Sequence, residues 1–184
     1  RDLHPQHRRQ RQMCIRDRFE SEQYKIKDET VFGRAKFTTP YKVSDELDNE
    51  ARFVHVVNGS SRLLFPNGQV SLNAGDSLVM KCDYFVNNWQ KKDDSALTEV
   101  VILRLNPSTL QHVYGNNLPE YFITKNSTSA NSVEVIAPNS LMDNYVRNLR
   151  YYLDNPELIN DELLALKIQE LILSLINSDK SGQI

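Results

Sequence analysis

The last long segment of the chain constrains its fold more than any other feature. Residues 161–177 read Asp-Glu-Leu-Leu-Ala-Leu-Lys-Ile-Gln-Glu-Leu-Ile-Leu-Ser-Leu-Ile-Asn, which predicts a helix capped by Asp161. This helix is apolar around most of its circumference, so it needs packing partners on more than one side. Its own domain supplies one partner, and a second copy of the chain is the simplest source of the other.

Two apolar stripes run along this predicted helix. The first has steps of four, three and four residues and consists of Leu164, Ile168, Leu171 and Leu175. The second side carries Leu163, Leu166, Leu173 and Ile176. We assign the first stripe to a homodimer interface. Burial of the whole helix within a single domain is the alternative that the sequence leaves open.

The composition excludes several classes of protein. A net charge of −2 gives no overall attraction to nucleic acid. The two cysteines, Cys14 and Cys82, are too few for a disulfide framework and indicate free thiols in a reducing compartment. No apolar run reaches the length of about 18 residues that a membrane span needs, and the first residues are charged, unlike a secretory signal. We therefore expect a cytoplasmic protein with no membrane partner.

The first 18 residues differ from the rest of the chain. They hold six arginines and two aspartates, and almost no apolar residue. We interpret residues 1–18 as a disordered tail or a cloning or assembly scar, with a phosphate-contacting basic arm as the alternative. Without them the chain has a net charge near −6, which argues further against direct DNA binding.

Short strand-like runs alternate with turns in the middle of the chain. The turns are Asn58-Gly59, Pro66-Asn67-Gly68 and Asn73-Ala74-Gly75-Asp76. The run from Glu99 to Leu105 is the most hydrophobic and predicts a central strand, whereas Val31 to Thr38 predicts an edge strand. Residues 87–95 are polar and predict a hairpin or loop. Strands at this spacing predict an antiparallel sandwich or small barrel.

Helical patterns follow the strands. Ser108 to Tyr114 predicts a short helix, and Leu141 to Leu153 predicts a longer one capped by Asn139 or Ser140. A polar linker and a short strand, residues 124–132 and 133–136, separate the two helices. The expected organisation is a barrel sensor domain over residues 19–136, a helical dimerisation element over residues 137–178 and the start of a linker at residues 179–184.

The order of strands and turns resembles a cupin barrel, which is a double-stranded β-helix. The strand at Phe53, the Asn58-Gly59 turn and the Gly75-Asp76 turn carry this likeness. The expected fold class is therefore mainly β with C-terminal helices, namely a cupin-like barrel followed by a two-helix dimerisation element.

Cupin enzymes resemble one another in a metal site made of a His-x-His pair, a glutamate and a later histidine. This chain departs from that pattern, because no His-x-His follows Asn58-Gly59, and His55 and His112 are isolated. Neither Gly-x-Ser-x-Gly nor a phosphate-binding glycine loop is present. We therefore expect no metal, no cofactor, no catalytic residue and no enzymatic activity. The alternatives are a small cupin enzyme, such as an isomerase or dioxygenase, and a stand-alone adaptor barrel.

A barrel without a metal site can still hold a small molecule. Polar-tipped side chains on or near the strands are the candidate ligand-binding residues, namely His55, Tyr84, Trp89 and Arg104. Strand alternation puts Phe53, His55 and Val57 on one face. For His55 the alternative is a buried core residue, for Trp89 a cover over the barrel mouth, and for Arg104 an outward-facing side chain.

Taken together, residues 24–178 resemble the amino-terminal domain of AraC-family transcription regulators. The segments that carry the resemblance are Phe53–Gly59, Leu72–Asp76, Asn106-Pro107 and Glu162–Ile176. The resemblance implies a homodimer whose barrel binds a small-molecule effector or a regulatory protein. It also implies a carboxy-terminal pair of helix-turn-helix motifs that binds bacterial promoters, so this chain would reach DNA only through a part that is absent here.

Overall fold

The computed structural model describes residues 19–81, 83–91, 97–117 and 132–181. The strands in these ranges are β1 (Phe19–Ile26), β2 (Glu29–Thr38), β3 (Tyr41–Leu47), β4 (Ala51–Asn58), β5 (Ser60–Phe65), β6 (Gly68–Asn73), β7 (Ser77–Met80), β8 (Asp83–Gln90), β9 (Leu97–Leu105) and β10 (Val133–Ile136). The helices are α1 (Pro107–Tyr114), α2 (Ser140–Asp154) and α3 (Asp161–Ser181), with a short 3-10 turn at Pro156–Leu158. The predicted tail at residues 1–18, both cysteines and most of the predicted linker at residues 124–132 lie outside the described residues.

The strands form two antiparallel sheets. The six-stranded sheet has the order β1-β2-β9-β4-β7-β10, and the four-stranded sheet has the order β3-β8-β5-β6. The prediction of a central β9 is confirmed, since β9 pairs with β2 on one side and β4 on the other. The prediction that residues 31–38 form an edge strand is wrong, because β1 pairs with the outer side of β2.

The polar run at residues 87–95 was predicted to be a hairpin or loop, and its first part is instead strand. Asn87, Asn88, Trp89 and Gln90 belong to β8, which pairs with β3 and β5. Phe85 and Trp89 alternate into the core, so tertiary burial overrides the polar composition of their neighbours. Residues 92–95 lie outside the described part of the chain.

The six-stranded sheet has an apolar core on each face. The inner core lies between the two sheets and includes Val54, Val56 and Leu63. The outer core lies between the six-stranded sheet and the helices and includes Phe53, Val101 and many residues of α2 and α3. The opposite placement of Phe53 and Val54 confirms the predicted alternation along β4. The helices therefore cover the outside of one sheet, as part of the same domain.

Side-chain caps set the starts of the two long helices. The Asn139 side chain accepts a hydrogen bond from the backbone N–H of Met142 at 2.9 Å, so Asn139 caps α2. At α3 the Asn160 side chain accepts from the N–H of Leu163 at 2.8 Å, whereas Asp161 is the first helical residue. The prediction of Asp161 as the cap is therefore wrong by one residue, and its carboxylate lies in the first turn, where the helix dipole favours negative charge.

Candidate functional site

His55 lies on the face of β4 that the helices cover. Its side chain is buried, and Nδ1 is 2.8 Å from the hydroxyl oxygen of Ser77. Burial and then the positive charge of Arg150 on α2 lower the pKa of His55, while the carboxylates of Asp143 and Asp76 act in the opposite direction. His55 is thus a buried imidazole at the contact between sheet and helix, and it does not line the space between the sheets.

Trp89 lies between the two sheets. Its residue is 3% exposed, and its indole meets the ring of Phe37 edge-on, with centroids 5.3 Å apart. Trp89 was predicted in a polar loop, either touching a ligand or covering the barrel mouth, and the structure places it instead on β8, inside the barrel. A role in ligand binding stays a prediction.

Tyr84 and Arg104 lie on other surfaces. Tyr84 precedes the buried Phe85 on β8 and is 51% exposed, on the outer side of the four-stranded sheet. Arg104 is two residues from Ile102 and therefore shares the inner face of β9 with it. However, Arg104 is six residues along β9 from Thr98, the residue that pairs with Phe37 of the aromatic contact to Trp89. Six residues of strand span about 20 Å, so Arg104 and Trp89 lie toward opposite ends of the barrel. The four predicted ligand-binding residues therefore do not form one site.

Trp89 belongs to an aromatic cluster of four residues, together with Phe19 on β1, Phe37 on β2 and Tyr41 on β3. Ring centroids lie 6.0 Å apart for Phe19 and Phe37, 5.9 Å for Phe19 and Tyr41, and 5.1 Å for Phe37 and Tyr41. These distances are typical of aromatic pairs. Phe37 and Trp89 are buried, whereas Phe19 is 42% and Tyr41 is 37% exposed. The cluster thus continues from the barrel interior to the solvent.

Sequence reasoning missed most of this cluster. β1 and β3, which carry Phe19 and Tyr41, have no strong apolar alternation, and only the register Phe19↔Phe37 and Tyr41↔Trp89 brings the rings together. The strand pattern at residues 31–38 could have identified Phe37 as an inward residue.

The first apolar stripe of α3 packs into the chain's own core. Leu164, Ile168 and Leu171 are at most 4% exposed, and the half-buried Leu175 packs against the same cluster. This placement corrects the assignment of the stripe to a homodimer interface, because the six-stranded sheet and α2 already cover it. The structure therefore realises the single-domain alternative for this face of the helix.

The opposite face of α3 keeps large apolar side chains in solvent. Leu166 is 56% and Leu173 is 57% exposed. They are seven residues apart, which is about two helical turns, so both point the same way. Both side chains therefore lie outside the chain's own core.

Two further properties concern the described residues only. No three His, Cys, Asp or Glu side chains among them lie close enough together to hold a metal ion. In the same ranges, no helix combines the length and the apolar character that a membrane crossing requires.

The model of the ExsA N-terminal regulatory domain family matches residues 51–184. The chain belongs to this family. No curated protein sequence matches it.

Solved structures resemble this ExsA-type domain in fold. ToxT from Vibrio cholerae, in a P21 crystal form, has a TM-score of 0.52 and 13% identity, over 84% of this chain and 54% of that one. ToxT from Vibrio cholerae O395 bound to (E)-4-(8-methylnaphthalen-1-yl)but-3-enoic acid has a TM-score of 0.53 and 11% identity, over 90% of this chain and 57% of that one. A cupin superfamily protein from Desulfitobacterium hafniense has a TM-score of 0.41 and 13% identity, over 49% of this chain and 79% of that one. The domain thus spans little more than half of each ToxT chain.

The predicted family and fold class are confirmed. The ExsA-type domain is an AraC-type amino-terminal regulatory domain, and its fold is mainly β and cupin-like with C-terminal helices. Its function is that of a regulatory domain.

Proposed function

We propose that this domain senses a small molecule with a flat aromatic part at the aromatic cluster. The observation that carries the proposal is the continuity of the cluster, in which exposed Phe19 and Tyr41 contact Phe37, and Phe37 contacts buried Trp89. A flat ligand that stacks on the outer rings would change the packing of the inner rings that they contact. The aromatic acid bound to ToxT, a protein of the same fold, supports this ligand class.

Trp89 provides the test, since it is the single tryptophan of the chain. The domain is titrated with (E)-4-(8-methylnaphthalen-1-yl)but-3-enoic acid while tryptophan emission is recorded. We expect a saturable change in emission that Tyr41→Ala weakens and Tyr84→Ala leaves intact, because Tyr84 lies on the outer side of the same sheet. An emission that does not change, or equal effects of the two substitutions, would contradict this site.

The domain also pairs with a second copy, in this proposal through the outer face of α3. Leu166 and Leu173 are exposed, whereas the inner face of the helix is buried in the domain's own core. Burying the exposed half of two leucines from each copy would stabilise the pair by about 3–7 kcal/mol before the costs of association. Sedimentation tests this: Leu166→Asp should produce monomers, and Leu158→Asp, at a similarly exposed leucine outside α3, should not.

The proposed role is binding rather than catalysis. The domain would act in the cytoplasm and reach promoter DNA only through a helix-turn-helix part of a longer protein, which the partial coverage of ToxT supports. The division into a barrel at residues 19–136 and a dimerising helical element at residues 137–178 belongs to the same proposal. Metal analysis of purified protein tests whether the domain binds rather than catalyses, because stoichiometric iron, zinc or manganese would favour a cupin enzyme.

A further inference from the structure

Arg34 is a buried cation that joins three separate parts of the chain. It lies on β2 and is 7% exposed. Its Nε donates to Glu22 Oε2 on β1 at 3.0 Å, and its Nη2 donates to the two oxygens of the same carboxylate at 3.1 and 2.8 Å. Its Nη1 donates to the carboxylate of Asp154, and its Nη2 also donates to the backbone carbonyl of Leu153 at 3.0 Å. The guanidinium therefore holds the edge of the barrel and the C-terminal end of α2 together.

The end of α2 depends on this cation. The last turn of α2 contains no basic residue, although the negative end of a helix dipole favours one. Asn155 satisfies two of the last carbonyls. Its backbone N–H donates to the carbonyl oxygen of Tyr152 at 3.0 Å, and its side-chain amide donates to that of Tyr151 at 2.7 Å. Arg34 covers the carbonyl of Leu153. The barrel thus supplies the cap that the sequence of α2 lacks.

β1 connects this ion cluster to the aromatic cluster. Glu22 stands opposite Arg34 in the strand register, and three residues earlier Phe19 stands opposite Phe37. Among the described strands β1 pairs only with β2, and most of its side chains are exposed. A displacement of β1 at Phe19 would therefore move Glu22 relative to Arg34. Glu22 accepts three hydrogen bonds from the guanidinium, so its movement would reorient Arg34 and change the contacts to Asp154 and Leu153.

We propose that Glu22, Arg34 and Asp154 form a latch through which β1 passes the state of the aromatic cluster to α2 and α3. This inference rests on the proposed function, because it gives the route from the sensing end to the pairing helix. Arg34 is a positioning residue in this scheme. With Glu22 in place the guanidinium is oriented so that it meets Asp154 and the Leu153 carbonyl, and α2 is held on the sheet; with Glu22 withdrawn this orientation is lost and the end of α2 is released.

Hydrogen exchange of Glu22→Gln tests the latch. Glu22 is half exposed, so the variant should fold even though a substitution at buried Arg34 can prevent folding. We expect amides of the last turn of α2 and the first turns of α3 to exchange about tenfold faster, with β4 and β9 unchanged. The matched control is Glu20→Gln, which removes the same charge from the same face of β1 without a contact to Arg34. Unchanged helix exchange, a uniform increase across the chain or an equal effect of Glu20→Gln would overturn the proposal.

A second pair of variants tests the role of β1. Phe19 and Tyr41 belong to the same aromatic cluster, but only Phe19 lies on β1. Phe19→Ala should accelerate exchange at the end of α2 several-fold, and Tyr41→Ala should not. Equal effects would show that β1 is not the carrier. Both exchange experiments read the seating of the helices without any ligand or dimer, so their outcome is independent of the titration and sedimentation tests above.

Discussion

Phe53 and Tyr145 meet edge to face, with ring centroids 6.3 Å apart, where the six-stranded sheet contacts α2. The hydroxyl of Tyr145 also donates to the carbonyl oxygen of Lys167 in α3 at 3.0 Å. Burial is the main cause that raises the pKa of Tyr145 well above its ordinary value, so the phenol stays protonated and remains a donor. A single side chain therefore ties the sheet and both long helices into one core.

Two substitutions at Tyr145 should separate its contributions. Tyr145→Phe keeps the ring contact and removes the hydrogen bond, so it should lower the free energy of unfolding by about 0.5–1.5 kcal/mol. Tyr145→Ala also opens a cavity and should cost about 3–5 kcal/mol. Urea unfolding measures both, and equal losses would mean that the aromatic contact contributes nothing.

Substitution by alanine should destabilise the domain strongly at Leu171 and hardly at all at Leu173, although the two residues are only two positions apart. Leu171 is fully buried in the outer core, so Leu171→Ala should destabilise the monomeric unit by about 2–5 kcal/mol. Leu173→Ala removes a solvent-facing side chain and should change that stability by less than about 0.5 kcal/mol. Chemical unfolding at low protein concentration checks this, and a large loss for Leu173→Ala alone would mean that the faces of α3 are reversed.

Gly59 has a steric requirement that Gly75 lacks. Both have positive φ, at +106° and +94°, but a Cβ at Gly59 would lie 2.4 Å from Oγ1 of Thr98, whereas one at Gly75 would meet nothing within 4 Å. Gly75→Ala should therefore cost about 1–2 kcal/mol for the backbone alone, and Gly59→Ala should cost about 1–3 kcal/mol more. Thermal unfolding compares the two variants; equal losses would contradict the close approach of Thr98.

The pKa of His55 is lowered mainly by burial, which makes stability depend on pH. The unfolded chain binds a proton at higher pH than the folded chain, so stability should fall as pH drops below the ordinary histidine value of 6.5. The hydrogen bond from Arg34 lowers the pKa of Asp154. The contribution of Asp154 to the free energy of unfolding is therefore lost only at lower pH, as the pH falls below the ordinary value of 3.8.

Urea unfolding at about pH 7.5 and about pH 5.5 measures the contribution of His55. His55→Gln should reduce the loss between these two values. A loss of the same size in the variant would assign the pH dependence to other groups.

Local patterns in the sequence predicted much of this fold. The turn glycines placed β4 to β7, and apolar periodicity placed α2 and α3, because these signals act within a few residues. β1, β3 and β8 were not predicted, because the rings of Phe19, Tyr41 and Trp89 meet through contacts between strands, which no apolar pattern within a single strand contains.

The functional surfaces were harder to predict than the fold. Periodicity identified two apolar sides of α3, but it could not decide which one meets the barrel, since both consist of leucine and isoleucine. The position of Arg34 against the end of α2 follows from a contact across about 120 residues, which no local pattern contains.

The central claim is that the inner face of α3 belongs to its own barrel and the outer face to a second copy. Cysteine cross-linking tests it most directly, in a background in which Cys14→Ser and Cys82→Ser remove the native thiols. We expect Leu166→Cys to give a covalent dimer on mild oxidation, and Leu158→Cys, with similar exposure outside α3, to remain monomeric. Equal cross-linking at both positions, or none at residue 166 in protein that sediments as a dimer, would contradict the claim.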